Sequence, residues 1–123
     1  MKKKIAVFAV LVLTASNMAF ANPSFDCAKA SSQVEKMICA NETLQKLDSA
    51  LSSNYHDMMA VSDDLPGGAK DLKQEQKAWI IKRNKCTSEK CLTDLYRSRV
   101  DEVCNIPMIK GLPPVCIESE NIK

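Results

Sequence analysis

The residues of this chain whose types can do chemistry are six cysteines, one histidine, and a few charged side chains that fall on otherwise apolar patterns. Thiols ligate metals, act as nucleophiles or redox groups, or cross-link the chain. Cys86 and Cys91 are separated by four intervening residues with no second close pair, and His56 is the only histidine, so no zinc ligand set is legible. An even number of cysteines reads as a disulfide framework when the chain is exported. Six cysteines allow fifteen pairings. The expected set is sequential, Cys27–Cys39, Cys86–Cys91 and Cys104–Cys116, because each pair closes a local loop at a helix boundary.

Export is what the first residues indicate. Lys2, Lys3 and Lys4 precede an uninterrupted apolar run from Ile5 to Leu13, and Ala19-Phe20-Ala21 supplies a small-residue cleavage site. The run falls short of the roughly 20 apolar residues that cross a bilayer, and Asn17 interrupts its continuation. The first cysteine, Cys27, follows Pro23-Ser24-Phe25-Asp26 rather than the cleavage site, so a lipid anchor is not expected. Residues 1–21 are therefore read as a signal peptide and the remainder as a periplasmic or secreted protein without membrane attachment. Cleavage removes three of seventeen basic residues and none of fifteen acidic ones, which turns the net charge from +2 to −1. No basic run is left to follow a phosphate backbone, so nucleic acid is excluded as a partner class.

Asp48 is the most informative charge. It lies next to Leu47 and one turn from Leu44 and Leu51, on or beside an apolar helical stripe. A carboxylate there needs a partner, since removing a charge from water costs several kcal/mol unless it is paired. Arg83 and Arg99 occupy corresponding positions on later segments, so a structural ion pair between Asp48 and an arginine is expected. No second acid, base or nucleophile is spaced to work with Asp48, and His56, between Tyr55 and Asp57, reads as solvated. Nucleophile-elbow, phosphate-loop and zinc-protease signatures are all missing from the sequence. The reading is a binding protein rather than an enzyme, with no cofactor or metal; Met37, Met58 and Met59 read as core filler.

The elements that must position these residues are helices. Ser32 and Glu35 have capping-box spacing before a helix over 33–40. Asn41 caps a second helix over 42–61, whose stripe is Leu44, Leu47, Leu51, Tyr55 and Met58. Pro66-Gly67-Gly68 forces a reversal, and a third helix over 69–84 carries Leu72, Gln76, Trp79, Ile80 and Arg83 on one side. A fourth, capped by Thr87 or Ser88, presents Leu92, Leu95, Tyr96, Arg99, Val100 and Val103. Pro107, Gly111, Pro113 and Pro114 exclude a long helix from the tail. The fold class is thus all-α: a small disulfide-stapled array of about four helices over 22–104, with an irregular C-terminal arm over 105–123.

Asp26-Cys27, Glu35, Ile38-Cys39, Leu44, Leu47-Asp48, Leu51, Tyr55, Gln76, Trp79, Arg83, Cys86, Cys91-Leu92, Tyr96 and Arg99 together resemble the LprI-like lysozyme-inhibitor domain in order and approximate spacing. The resemblance implies a helical exported domain whose protein partner is a lysozyme; the tail beyond Cys104 departs from the pattern. The alternative role for such a domain is an immunity or envelope-assembly factor that binds another exported protein. Two segments qualify by exposure as partner contacts. One is Thr87, Ser88, Glu89 and Lys90 between Cys86 and Cys91, where a bridge would reduce the ordering cost of binding. The other is the acidic turn from Asp63 to Gly68.

Overall fold

The computed structural model describes residues 22–123; the signal peptide expected over residues 1–21 lies outside the described residues. Four helices carry the fold: α1 (Gln33–Ala40), α2 (Glu42–Ala60), α3 (Gly68–Arg83) and α4 (Glu89–Cys104). Short 3₁₀ turns sit at Cys27–Lys29, Ser62–Asp64 and Ser119–Asn121. No helix among the described residues is long and apolar enough to cross a membrane.

Local hydrogen bonding sets the helix starts. The Ser32 hydroxyl oxygen accepts from the Glu35 N–H at 3.1 Å, which satisfies one of the donors a helix N-terminus leaves open. The Glu35 carboxylate takes up the Ser32 hydroxyl instead of the backbone N–H of a full capping box. Asn41 ends α1 and starts α2, its side chain accepting from the Leu44 N–H at 3.0 Å. Ser88 does the same for α4 through Cys91 N–H, and thereby settles which of Thr87 and Ser88 is the cap. α3 starts without a side-chain cap. Gly67 precedes it at φ 75°, and a Cβ there would collide with the Asp71 side chain, so glycine is required twice over.

The core lies between α2 and α4, with α1 packed on α2. Ile38, Leu44, Leu47, Met58, Leu92, Val100 and Val103 are fully removed from water. At roughly 1.5–3 kcal/mol for each large apolar side chain buried, this stripe dominates the favourable side of folding. α3 is different: only Leu72 and Trp79, two turns apart, are buried. Ile80, grouped with them from the sequence, is 36% exposed. Two buried anchors are enough to seat α3 because Trp79 meets Tyr96 of α4 edge-on, with ring centroids 5.0 Å apart.

Three disulfides join Cys27 to Cys39, Cys86 to Cys91, and Cys104 to Cys116, with Cα separations of 5.8, 5.6 and 5.6 Å. The first fixes the N-terminal turn to the end of α1, the second spans the α3–α4 joint, and the third returns the tail to the end of α4. The irregular tail is held by more than its bridge. Asn54, 1% exposed, donates from Nδ2 to the Ile117 carbonyl and accepts from the Ile117 N–H, both at 2.8 Å. Asp101 accepts from the Ser119 N–H and hydroxyl, while Arg97 donates to the carbonyls of Ser119 and Ile122.

Candidate functional site

Asp48 is buried, as its place on the α2 stripe required, and is 4% exposed. Its partners differ from expectation. Oδ1 accepts a 2.7 Å hydrogen bond from the Tyr96 hydroxyl of α4, and Oδ2 accepts from the Ser24 N–H of the N-terminal segment. Arg83 Nη1 donates to the same Tyr96 oxygen at 3.1 Å. The expected direct pair between Asp48 and an arginine is therefore replaced by a relay, Asp48–Tyr96–Arg83, that ties α2, α4 and α3 together. The physical reason is reach and geometry. Tyr96 projects into the space between the helices, while Arg83 leans over the Trp79 ring, with Cζ 5.8 Å from its centroid, and its Nε and Nη2 both donate to Asn84.

Arg99 does not join this relay. Buried at 6% exposure, it donates from Nε to Gln76 Oε1 at 3.1 Å and places Nη1 3.4 Å from Glu102 and 3.8 Å from Glu75. It thus fixes α3 against α4 at a second point.

Burial raises the Tyr96 hydroxyl pKa far above the ordinary tyrosine value, and the Asp48 carboxylate raises it further against the lowering effect of Arg83. The sign follows directly. An unfolded tyrosine ionises near pH ~10, so above that pH unfolding gains ionisation free energy that the folded state does not. Stability attached to Tyr96 is complete below pH ~10 and declines as pH rises toward the folded value, by up to about 1.4 kcal/mol per pH unit. Tyr96→Phe is expected to flatten the alkaline fall in melting temperature between pH 9 and 12; a fall of wild-type steepness would assign it to other groups.

These groups do not form a catalytic constellation: the Asp48 carboxylate is spent on Tyr96 and Ser24, and His56 lies at the surface 3.6 Å from Asp57. Among the described residues no group of three or more histidine, cysteine or acidic side chains is placed to hold a metal ion.

The exposed segment between Cys86 and Cys91 is a helix cap rather than a projecting loop. Thr87 is exposed, Ser88 caps α4, and Glu89 and Lys90 already belong to its first turn. Glu89 accepts from Asn41 Nδ2 at 3.1 Å, and Lys90 is paired with Asp94 at 2.6 Å. The turn from Asp63 to Gly68 gives up one carbonyl, Asp64 O, to the Ile109 N–H at 2.7 Å. Sequence reasoning missed Asn54, although it falls between Leu51 and Met58 on the same stripe that drew attention to Asp48. The apolar residues of the tail, Ile109, Leu112 and Val115, also passed unremarked, and all three are strongly exposed.

Set against known proteins, residues 26–103 match the family model described as lysozyme inhibitor LprI. Proteins named Lipoprotein LprI from Mycobacterium bovis and from two strains of Mycobacterium tuberculosis are each 25% identical over 99 residues, covering 77% of this chain and 48% of theirs. The chain spans about half the length of the curated relatives it matches. No solved structure matches it. The matched region holds all four helices except the last residue of α4, two of the three disulfides, and the relay from Asp48 through Tyr96 to Arg83, and on that match the chain belongs to the lysozyme inhibitor LprI family.

Proposed function

We propose that this protein is exported and acts by binding and inhibiting a lysozyme-like peptidoglycan hydrolase, without catalysis of its own. The observation that carries the reading is the family match over the whole helical scaffold. Three disulfides in about 100 residues support an oxidising compartment outside the cytoplasm. They also suit an inhibitor, because a scaffold ordered before it meets its target loses little conformational entropy on binding. The Thr87–Lys90 corner is one contact surface open to this role.

The test is turbidimetric. Oxidised protein, purified after export of the full chain, is expected to slow lysis of a peptidoglycan suspension by animal-type or bacterial lysozymes while lysing nothing itself. If the corner makes the contact, Lys90→Glu weakens inhibition by about tenfold through charge reversal near the enzyme's carboxylates, and Lys123→Glu leaves it unchanged. Failure to slow any of these enzymes at micromolar excess would remove the reading.

A further inference from the structure

The loop between Cys104 and Cys116 has features that the Thr87–Lys90 corner lacks. Within seven residues it exposes Ile109 at 61%, Leu112 at 88% and Val115 at 96%. Single exposed aliphatic side chains are ordinary on soluble proteins, whereas a contiguous group marks a contact surface. The tip turns at Gly111, φ 72°, where a Cβ would meet nothing within 4 Å, so the turn stands out into open space. Pro113-Pro114 limits the conformations of the descending side.

This loop is held at its base on every side. The Cys104–Cys116 bridge closes it, the Asn54 amide clamps Ile117 just beyond, and the Ile109 N–H is fastened to Asp64 O. A hollow of about 250 Å³ lies at its foot, walled by Leu65, Pro66, Leu72, Ile106 and Pro107 with Glu75 at one side. A largely aliphatic segment fastened in advance at these points binds without a large ordering cost. The loop itself lies beyond the family match, which ends at residue 103, but Asn54 and Asp64 of the matched scaffold hold it in place.

Charge identifies what the loop would enter. Between Cys104 and Glu118 the sole charged residue is Lys110, next to the tip, although the protein after residue 21 carries a net charge of −1. Glycan-cleaving clefts combine largely apolar walls with a pair of carboxylates flanking the scissile bond. A loop of aliphatic side chains with one cation next to its tip complements that cleft in polarity and charge. A membrane surface is the poorer fit, because attraction to anionic lipid takes clusters of basic residues. We infer that the Cys104–Cys116 loop is the segment that enters the partner's glycan cleft, with Leu112 and Val115 against its walls and Lys110 toward its carboxylates. This rests on the inhibitor reading above and names the surface through which it works.

The experiment compares oxidised full-chain variants after export, each checked for an unchanged melting temperature. Leu112→Asp and Lys110→Glu are each expected to raise the concentration needed for half-inhibition of lysozyme by about tenfold or more. Ile81→Asp, the same kind of change at an exposed aliphatic residue of α3, is expected to stay within about twofold. Inhibition that survives Leu112→Asp and Lys110→Glu but is lost in Lys90→Glu overturns the loop in favour of the corner, with the inhibitor reading intact. Equal losses in Leu112→Asp and Ile81→Asp overturn it as well. Binding to phosphatidylglycerol vesicles that disappears in Leu112→Asp while inhibition persists would make the loop a lipid contact. A wild-type protein that inhibits nothing fails at the earlier step and takes both readings with it.

Discussion

Full reduction of the three disulfides is expected to lower stability by about 8 kcal/mol and leave most of the chain unfolded at about 37 °C. The chain-entropy relation gives about 3 kcal/mol for each of the two bridges of sequence separation 12 and about 2 kcal/mol for the bridge of separation 5. A domain of this size has only about 5–15 kcal/mol in total, so the bridges account for a large share of it. Their effects should not be uniform. Cys27→Ala/Cys39→Ala frees the N-terminal segment that brings the Ser24 N–H to Asp48, so it also weakens the polar network. Cys86, 5% exposed, is part of the core, and Cys86→Ala/Cys91→Ala adds a packing loss to the lost loop constraint. Cys104→Ala/Cys116→Ala loosens the arm first, because α2 and α4 still pack without it. Thermal unfolding of oxidised and reduced protein, followed by far-ultraviolet circular dichroism, measures the sum. A reduced protein melting within a few degrees of the oxidised one would show that the helix packing alone holds the fold.

Asp48→Ala is expected to cost about 2–4 kcal/mol, a large effect for a polar residue. It removes the acceptor of the buried Tyr96 hydroxyl and of the Ser24 N–H, and it leaves Arg83 directed at a tyrosine no longer polarised by a carboxylate. Asp48→Asn should cost less, since an amide oxygen still accepts while the charge is gone. In a double-mutant cycle Asp48→Ala and Tyr96→Phe should couple by about 1–3 kcal/mol, because the second change removes the very group the first strands. If the proposed inhibition holds, it should be unchanged when measured where the variant is folded, because Asp48 and Tyr96 are buried. Wild-type stability in Asp48→Ala, or loss of inhibition without loss of stability, would contradict a structural role.

Tyr96 also shows why a helical reading of the sequence stops short of the site. Its position on the α4 stripe made it an inward aromatic, and periodicity says no more than that. Its hydroxyl bonds a residue 48 positions earlier and accepts from one 13 positions earlier. Which of several inward polar atoms meet across three helices depends on how the helices cross and how far each is rotated, and neither is encoded locally. The same limit explains Arg99: burial was readable from its stripe, but Gln76, Glu75 and Glu102 became its partners only once α3 lay alongside α4.

What the sequence determined by itself is whatever rests on contacts between near neighbours. Ser32, Asn41 and Ser88 each cap a helix through a backbone N–H three residues on, so side chain and spacing sufficed to locate those starts, for α4 to within the choice between Thr87 and Ser88. The apolar repeats of α2 and α4 marked the faces that water excludes, and Pro66-Gly67-Gly68 broke the chain where a left-handed residue was needed. The pairings of Cys27 with Cys39, Cys86 with Cys91 and Cys104 with Cys116 also span short separations, within reach of local loop closure. Only the tertiary structure decided that Tyr96 stands between Asp48 and Arg83, that Asn54 holds Ile117 from 63 residues away, and that a proline-rich tail is a fastened loop. In each case a buried polar group has to find a partner within about 3 Å, and which group stands there is fixed by the packing of whole helices rather than by the residues on either side.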